Sequence, residues 1–468
     1  MNSPIPYYLT SVDWPRLIQD YPPPPHYAET SGALSDEAMR QLQEQRLRAR
    51  IADAARLPFY AERWRAAGVD AADVRGLEDL PHLPTFDSDE LRSSQEARPP
   101  YGAHQPSPAE WDDVLPLKLQ TSGGTTGAPR LTLFDPVALE VQGIQTARGL
   151  YAQGARPGDL IQIPFTASLA NAGWSAYNAV HHWLGGVPVT TGSGNVTSSE
   201  KQLEYARTLG TAGWYANADY LGRLTAVAQD IGFDLHALRT KFLFSFLGAD
   251  DGTVRRALSD AWNAPVYDNY GSHEVGLIAW ECQAGTRHIN EDTVIVEILD
   301  EDGRPVPDGT YGHAVLTSLH RKIPVYLRYD IRDRLAVLPR ARCACGVLSK
   351  RLLPMQGRVD QMIKLRGTNI YPSSCHRTVS ADPRTNGEYL CVVSHSGAGL
   401  ARRLEMCVRI ERRSTQVDAD ALRTDMLRRL ASDLGAKVDV EIVDPGALRP
   451  HTGEGEKIRR VLDLRKAG

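Results

Sequence analysis

A run rich in glycine and hydroxyl side chains offers the chemistry of phosphate binding. Residues 121–130 read Thr-Ser-Gly-Gly-Thr-Thr-Gly-Ala-Pro-Arg, so three glycines stand among four hydroxyl groups. Glycine lets the backbone approach a polyanion closely, and N–H and O–H groups supply hydrogen-bond donors. The run is not a Walker A loop, because it lacks the Gly-Lys-Ser/Thr ending. It predicts a phosphate loop, and a Gly/Ser/Thr linker is the alternative interpretation.

The surrounding elements predict an α/β fold class. Short β-rich runs at 160–165, 242–247 and 293–299 alternate with helical stretches, which is typical of mixed α/β layers. After residue 372, a strand, an amphipathic helix and a second strand indicate a small α+β unit. We therefore expect a large multi-layer N-terminal α/β domain at 1–356, a joining segment at 357–372 and a small α+β C-terminal domain at 373–468. Nearer the N-terminus, Ser35 with Asp36 and Glu37 predicts the start of a helix.

Length and composition exclude several classes of protein. A chain of 468 residues exceeds the size of one ordinary core, so more than one domain is expected. The net charge of −4 predicts no polyanion-binding surface, which argues against nucleic acid as a partner. No apolar run approaches the length of a membrane span, and the first residues lack a signal-peptide pattern. The expectation is a cytoplasmic enzyme with no membrane partner.

The phosphate-loop run resembles the signature loop of the adenylate-forming enzymes, which comprise acyl-CoA synthetases, peptide-synthetase adenylation domains and luciferases. Further motifs follow in the family's order. Residues 248–250, Gly-Ala-Asp, resemble its Gly-Ala-Glu adenine segment, and 270–274, Tyr-Gly-Ser-His-Glu, resemble its Tyr-Gly-x-Thr/Ser-Glu segment. Residues 328–333, Arg-Tyr-Asp-Ile-Arg-Asp, resemble Arg-Tyr-Arg-Thr-x-Asp. The resemblance implies ATP and Mg²⁺ as cofactors.

The same resemblance implies a role for each motif. Tyr270 would pack on adenine, Glu274 would hold Mg²⁺, and Asp333 would accept the ribose hydroxyls. A carboxylate is a suitable hard-oxygen ligand for that ion. For Asp333, a surface ion pair with a neighbouring arginine is the alternative. The implied nucleotide-binding residues are Ser122, Gly123, Gly124, Thr125, Thr126, Gly127, Arg130, Gly248, Ala249, Asp250, Asn269, Tyr270, Gly271, Asp333 and Arg358.

Two C-terminal segments extend the resemblance. Residues 357–372 are close to the family's hinge motif, in which Arg358 would reach the nucleotide and Asp360 would be the pivot of a mobile C-terminal domain. Residues 455–461 resemble the segment that carries the family lysine, which places it at Lys457. That lysine would stabilise the charge that develops between the acid and the α-phosphate. A solvated basic tail is the alternative. The implied catalytic residues are Lys457, His273 and Glu274.

Other residues resemble the phenylacetate-CoA ligase branch of the superfamily. Residues 43–68 look like its entrance helices, and the branch's cysteine and histidine positions recur here. Three thiolates and one imidazole suit a tetrahedral structural zinc, whereas buried free cysteines are the alternative. The predicted zinc ligands are Cys282, His288, Cys343 and Cys345. The remaining thiols, Cys375, Cys391 and Cys407, are expected in the core of the small domain. Resemblance to relatives also allows a homodimer.

The stretch 165–177 predicts the acid pocket. Its mixture of aromatic and polar side chains suits an aromatic or planar acid, and ordinary helix packing is the alternative. The candidate lining residues are Phe165, Asn171, Trp174 and Tyr177. Two departures from the family pattern bear on the substrate. His273 replaces a hydroxyl residue, and Asp330 replaces an arginine, so the acid or the nucleophile can differ from the family's.

Three functions follow as hypotheses. In the first, a small aromatic carboxylic acid and Mg-ATP give an acyl-adenylate and pyrophosphate, and coenzyme A then takes the acyl group. In the second, suggested by His273 and Asp330, ATP activates nitrite for reaction with an aromatic amine, as in some relatives of specialised metabolism. The third is a non-catalytic homologue that binds nucleotide. The retained residues Glu274, Asp333, Arg358, Asp360 and Lys457 argue against the third.

Overall fold

The computed structural model describes residues 7–108, 110, 116–122, 130–250, 252–358, 363–365, 368–370, 372–396, 403–434, 436–452 and 460–464. The chain forms two compact units. The larger comprises Met1–Gly248 and Arg255–Pro354, and the smaller comprises Ala249–Val254 and Met355–Gly468. The predicted α/β fold class with a small C-terminal unit is confirmed. None of the described helices is long and apolar enough to cross a bilayer.

Local sequence signals explain where several helices of the larger unit begin. The Ser35 hydroxyl accepts a hydrogen bond from the Ala38 N–H at 3.2 Å, and the first turn of the helix that follows is acidic, which favours the positive end of the helix dipole. The helices are α1 (Trp14–Asp20), α2 (Asp36–Ala55), α3 (Pro58–Ala67), α4 (Ser88–Ala97), α5 (Pro136–Ala152), α6 (Asn171–Asn178), α7 (Ser199–Leu209), α8 (Ala218–Asp230) and α9 (Thr253–Trp262). A π-helical turn, Ala179–Leu184, continues α6.

The strands of the larger unit form a hairpin, a small sheet and one large mixed sheet. They are β1 (Lys118–Ser122), β2 (Arg130–Phe134), β3 (Leu160–Gln162), β4 (Val187–Val189), β5 (Gly213–Tyr215), β6 (Phe242–Ser245), β7 (Val266–Ser272), β8 (Gly276–Glu281), β9 (Arg287–Ile289), β10 (Val294–Leu299), β11 (Gly312–Ser318), β12 (Tyr329–Leu335), β13 (Val337–Arg342) and β14 (Leu348–Leu352). β1 and β2 pair antiparallel, and β11 lies between β10 and β12. The large sheet has the order β13-β14-β9-β8-β7-β6-β5-β3-β4, with β4, β3, β5, β6 and β7 parallel.

The main core of the larger unit packs the parallel strands against α5 and α6. Ile161, Phe242, Phe244 and Trp280 are almost fully buried there, each contributing about 1.5–3 kcal/mol to folding. Gly213 of β5 allows the close approach, since a Cβ atom at that position would lie 2.3 Å from the Phe242 ring. This packing fixes the carboxyl ends of the parallel strands at one edge of the sheet.

The smaller unit has its own sheet and core. Its elements are β15 (Ile363–Leu365), β16 (Thr368–Ile370), α10 (Cys375–Ser380), β17 (Thr385–Ser396), β18 (Arg403–Arg412), α11 (Ala419–Leu434), β19 (Asp439–Val443), α12 (Arg449–Thr452) and β20 (Val461–Asp463). The sheet order is β19-β18-β17-β20, and β15 pairs with β16. Leu422, Met426 and Leu430 of α11 recur every four residues and are fully buried against the sheet.

The three thiols of the smaller unit differ in burial. Cys375 and Cys391 lie in the core, as predicted, with their Sγ atoms 3.8 Å apart. The prediction for Cys407 is wrong, because that residue is only half-buried. Its neighbours in β18, Met406 and Val408, both enter the core, and successive side chains of a strand point to opposite faces, so Cys407 lies on the other face.

Candidate functional site

The carboxyl ends of the parallel strands gather several residues of the predicted site. Phe165 follows β3, Gly248 follows β6, and Asn269, Tyr270 and Gly271 lie in the last part of β7. In open α/β sheets, ligands bind in the crevice outside this edge. The motifs that are scattered along the sequence therefore meet on one side of the larger unit.

The phosphate loop is flanked by β1 and β2. Ser122 ends β1 and Arg130 begins β2, and their backbones are directly paired. The intervening predictions at Gly123, Gly124, Thr125, Thr126 and Gly127 lie outside the described residues, as does the side chain of Ser122. The hairpin thus fixes both ends of the predicted loop.

Arg130, at the C-terminal end of this loop, forms a buried ion pair with Glu274. The guanidinium Nη2 donates to the Glu274 Oε1, and the Tyr329 hydroxyl donates to the same oxygen at 3.3 Å. Burial by itself would raise the pKa of Glu274, but the positive charge of Arg130 and the electrostatic interaction with His273 lower it to about 2. Glu274 is therefore an ionised carboxylate beside the predicted phosphate loop.

His273 lies half-buried on the turn between β7 and β8. Its ring meets the edge of Phe134 at a centroid distance of 5.4 Å, and its carbonyl accepts a hydrogen bond from Arg321 at 3.4 Å. Arg321 also donates to the carbonyl of Glu274 at 2.7 Å. A buried arginine thus holds the backbone of the two residues that the sequence predicts to be catalytic.

Tyr270 and Asp333 are brought together from β7 and β12. The Tyr270 hydroxyl donates to the Asp333 Oδ2 at 2.6 Å, and both residues are buried. The Asn269 amide bonds elsewhere, donating to the Ser245 carbonyl at 2.9 Å and accepting from Gln153 at 2.8 Å. Asn269 therefore joins β7 to its neighbours, whereas Tyr270 and Asp333, for which contacts with adenine and ribose are predicted, bond to each other.

Close packing or turn geometry explains the glycines at this edge. A Cβ atom on Gly271 would lie 2.7 Å from the Gly276 carbonyl, which leaves no room for a side chain. Gly248 has a φ of +66°, in the left-handed region that favours glycine.

Ala249, Asp250 and Arg358 belong to the smaller unit. The Asp250 carboxylate there accepts a hydrogen bond from the Val254 N–H at 3.0 Å. Asp360 and Lys457 lie outside the described residues.

The predicted acid-pocket residues fall into two groups. Phe165 packs in an aromatic cluster with Tyr215, at a centroid distance of 5.5 Å, and Tyr215 in turn stacks on Phe244 at 4.6 Å. Tyr177 stacks instead on His181 at 5.3 Å. Tyr215 ends β5 beside Phe165, so it faces the same strand edge. Sequence reasoning missed it, although it ends a short apolar strand pattern.

Asn171 and Trp174 lie one turn apart on α6. The Asn171 side-chain amide donates to Gln142 at 2.7 Å, and the Trp174 indole N–H donates to the Ser168 carbonyl at 2.7 Å. The Lys118 ammonium lies 3.9 Å above the centre of the Trp174 ring, and burial lowers the pKa of Lys118 to about 8. Neither Lys118 nor Gln142 belongs to a motif that could be found from the sequence.

Four metal-ligating side chains meet near β9 and the β13–β14 turn. The ligand atoms of Cys282, His288, Cys343 and Cys345 all lie within 4.8 Å of one another. Cys282 and Cys343 have their sulfurs 3.7 Å apart, and the Cys345 sulfur lies 3.3 Å from the His288 Nε2. The hydrogen bond from Cys345 is the main cause that lowers the pKa of Cys282, to about 3. The His288 Nδ1 is 2.8 Å from the Ser349 hydroxyl, which fixes the ring orientation.

Comparisons with known proteins agree with this architecture. Residues 367–465 match the family model of the AMP-binding enzyme C-terminal domain. A phenylacetate-coenzyme A ligase of Thermus thermophilus is 30% identical over 454 residues, covering 92% of this chain and 98% of that protein. A phenylacetate-coenzyme A ligase of Escherichia coli is 26% identical over 443 residues, covering 92% of this chain and 96% of that protein.

Solved structures with the same fold include 2-hydroxyisobutyryl-CoA ligase in two states. The postadenylation state with 2-HIB-AMP has a TM-score of 0.83 at 24% identity, covering 99% of this chain and 98% of that one. The thioesterification state with 2-HIB-AMP and CoA has a TM-score of 0.66 at 26% identity, covering 92% of each chain.

Proposed function

The chain belongs to the phenylacetate-coenzyme A ligase family of adenylate-forming enzymes, and from that membership we propose that it activates a small aromatic carboxylic acid. It is an AMP-forming acid–CoA ligase. In the first step, a carboxylate oxygen of the acid attacks the α-phosphorus of ATP, giving the acyl-adenylate and pyrophosphate. In the second step, the coenzyme A thiol attacks the acyl carbon, giving the thioester, AMP and a proton.

The convergence of Arg130 and Glu274 carries this proposal. A cation from the phosphate loop and an ionised carboxylate from the strand edge meet in a buried site, beside the Tyr329 hydroxyl. The cation suits the phosphates of ATP, and the carboxylate suits a divalent ion that accompanies them. On binding Mg-ATP, Arg130 would exchange the Glu274 carboxylate for a phosphate oxygen.

Glu274 is the proposed Mg²⁺ ligand. Its pKa of about 2 leaves it ionised at neutral pH, as a ligand for a hard cation must be. When bound, the ion would neutralise phosphate charge that otherwise repels an incoming carboxylate. His273, next in the chain and half-buried, would donate a hydrogen bond to a phosphoryl oxygen.

The nucleoside end of ATP would lie at Tyr270 and Asp333. The hydrogen bond between them supports a tyrosine ring held for adenine and a carboxylate held for the ribose hydroxyls. The acid would lie on the aromatic cluster of Phe165, Tyr215 and Phe244, which supports an aromatic acid. Both ends belong to the larger unit.

The C-terminal part of the chain would complete the cycle. We propose a boundary between 1–356 and 373–468, with 357–372 as the hinge and Asp360 as its pivot. Arg358 would reach the nucleotide, and Lys457 would stabilise the charge of the adenylation transition state. The match of 367–465 to the C-terminal domain of AMP-binding enzymes includes Lys457 and supports the proposed small domain.

The cluster of Cys282, His288, Cys343 and Cys345 is a proposed structural zinc site. In a tetrahedron with zinc–sulfur bonds of about 2.3 Å, two sulfurs lie about 3.7 Å apart. The separation of 3.7 Å between the Cys282 and Cys343 sulfurs fits this geometry. The hydrogen bond of His288 to Ser349 is a suitable outer contact for a ligating imidazole.

Mass spectrometry of AMP and of the products with Mg-ATP tests the proposed function. Aryl acids with coenzyme A should give a thioester and AMP. Release of AMP that requires nitrite and yields a diazonium product from an aromatic amine would identify a diazotase instead. Nucleotide binding without AMP release from any acid or from nitrite would identify a non-catalytic homologue.

A further inference from the structure

One face of the β1–β2 hairpin joins the acid pocket to the predicted phosphate site. In the antiparallel register, Lys118 lies opposite Phe134, Gln120 opposite Thr132, and Ser122 opposite Arg130. Directly opposed residues share a face of the ladder. On that face, Lys118 lies against Trp174 of α6, and Arg130 binds Glu274.

Gln120 occupies the middle of this face. The register places it between Lys118, which meets the acid pocket, and the pair of Ser122 and Arg130, which bounds the phosphate loop. Since the acid must react with the α-phosphate, the reacting carboxylate would lie between these two regions. Gln120 would therefore lie beside the place where the acid meets ATP.

The carboxamide of Gln120 is buried and lacks hydrogen bonds. The side chain is 0% exposed, and neither its Nε2 nor its Oε1 has a partner in the described part of the chain. An unsatisfied buried polar group costs about 1–3 kcal/mol, and such groups are rare in folded proteins. Both a donor and an acceptor are thus held ready beside the site.

Gln142 of α5 presents a second such group to the same region. Its Oε1 accepts from Asn171 at 2.7 Å, whereas its buried Nε2 has no hydrogen-bond partner among the described residues. A Cβ atom on Gly276 would lie 2.7 Å from the Gln142 Cγ, so this side chain packs beside the turn that carries Glu274. Gln142 therefore links the acid pocket to the proposed metal ligand.

Several other buried glutamines of the larger unit have both amide atoms bonded, whereas Gln153 bonds only through its Nε2. The Gln162 Nε2 donates to the Gln202 carbonyl at 3.0 Å, and its Oε1 accepts from Thr211 at 3.2 Å. Gln145, on the same helix as Gln142, donates to Thr293 at 2.7 Å and accepts from the Leu277 N–H at 3.2 Å. The fold can satisfy such side chains, so a ligand is the natural partner for Gln120 and Gln142.

We propose that Gln120 and Gln142 bind the acid directly, and that the acid carries a hydroxyl or amino group next to its carboxylate. The two Nε2 groups supply N–H donors for a carboxylate oxygen and for the substituent's lone pair. The Gln120 Oε1 requires a donor, which a bare carboxylate lacks and which a hydroxyl or amino group supplies. This inference rests on the proposed function and names its substrate class.

ATP–pyrophosphate exchange with matched pairs of acids tests the inference. Benzoate would be compared with 2-hydroxybenzoate and 2-aminobenzoate, and phenylacetate with α-hydroxyphenylacetate (mandelate). The wild-type enzyme should favour the substituted acid of a pair by roughly tenfold or more in kcat/KM, because a site built for a polar group rejects the analogue that lacks it. A preference for the unsubstituted acids would overturn the inference.

The variants Gln120→Met and Gln142→Met keep the side-chain length and remove the amide. Each should lower the preference for substituted acids by roughly tenfold, through a higher KM for the substituted acid. Gln162→Met is the matched control, because the Gln162 amide is bonded inside the fold. This variant should keep the wild-type preference for substituted acids. Thermal melting identifies any variant that fails to fold, and the other variant then decides the result.

The two proposals fail in different ways. Exchange that proceeds in both Gln120→Met and Gln142→Met with an unchanged preference would overturn this inference and leave the ligase intact. Absence of exchange with every carboxylic acid in the wild-type protein would overturn the proposed function, and the inference with it.

Discussion

The Arg130 guanidinium donates a hydrogen bond to the Glu274 carboxylate, joining the end of the phosphate loop to the turn after β7. Both side chains are buried, so the pair is largely shielded from water and salt. Burial is the largest single effect and raises the pKa of Glu274, but the charge of Arg130, the interaction with His273 and the hydrogen bonds together lower it to about 2. The charges of Arg130 and Glu274 therefore neutralise each other in the free protein. When Mg-ATP binds, Arg130 would pair with a phosphate and Glu274 with the metal ion.

Glu274→Gln should abolish most adenylation. The substitution removes the proposed metal ligand and should lower the rate of ATP–pyrophosphate exchange by roughly two orders of magnitude or more. It also leaves Arg130 buried without an anionic partner, which costs about 3–5 kcal/mol of unfolding free energy. Exchange assays and thermal melting measure the two effects. Glu281→Gln breaks the 2.8 Å pair of the buried Glu281 with the half-buried Arg255 and is the control. Exchange in Glu274→Gln at the control's rate would contradict the assignment.

Tyr270→Phe should weaken nucleotide binding and leave the fold intact. The hydroxyl holds the Asp333 carboxylate at 2.6 Å, and its removal frees that carboxylate to rotate away from the ribose. The KM for ATP should rise by about five- to tenfold, the value of one hydrogen bond, with a smaller change in kcat. Tyr311→Phe is the control, because its hydroxyl bonds to the Pro354 carbonyl away from the strand edge. An unchanged KM would mean that the pair is only structural.

Zinc should copurify with the protein at about one ion per chain. Cys343→Ser should lose the ion and lower the melting temperature, because a structural metal contributes folding free energy. Elemental analysis and melting in the presence of a chelator measure these effects. Cys407→Ser removes a half-buried thiol outside the cluster and should retain the metal. Wild-type protein that binds no zinc after refolding with the ion would refute the site.

Local sequence signals predicted much of the fold. The Ser35 cap begins α2 at Asp36, and the four-residue spacing of Leu422, Met426 and Leu430 gives α11 its buried face. The family resemblance implied that Tyr270 and Asp333 serve one nucleotide site, and their side chains are hydrogen-bonded to each other. The cysteine and histidine cluster was likewise predicted, and its side chains do converge. Each of these signals lies in a short stretch of sequence or in the family pattern.

Contacts between distant elements could not be predicted in the same way. The unpaired amide of Gln120 depends on what lies over the hairpin, and the sequence shows a glutamine only as a polar residue in a strand. Tyr215 belongs to the site because β5 lies beside β3 and β6. The register of β18 decides that Cys407 leaves the core. In all three cases, tertiary packing sets the environment of the side chain.

Two buried histidines should make the protein lose stability on mild acidification. Burial, followed by the charge of Arg130, lowers the pKa of His104 to about 3, and burial followed by Arg321 does the same for His320. Both are neutral in the folded state, whereas the unfolded chain takes up protons below about pH 6.5. The free energy of unfolding is therefore at its full value above about pH 6.5. It falls as the pH drops from about 6.5 towards 3, because only the unfolded chain binds the protons. Together the two histidines should remove up to about 2.7 kcal/mol per pH unit below 6.5.

Asp268 has the opposite effect on the pH dependence of the unfolding free energy. Burial raises its pKa to about 6, so the folded state binds a proton more readily than the unfolded chain and gains stability as the pH falls from 6 towards 4. Comparing variants with the wild type cancels that contribution. The double variant of His104→Gln and His320→Gln should show a smaller fall in unfolding free energy than the wild type between pH 7.5 and 5. His236→Gln, at an exposed position, should follow the wild type. Urea denaturation at each pH gives the free energies, and parallel curves for all three proteins would show that neither buried histidine is kept neutral by the fold.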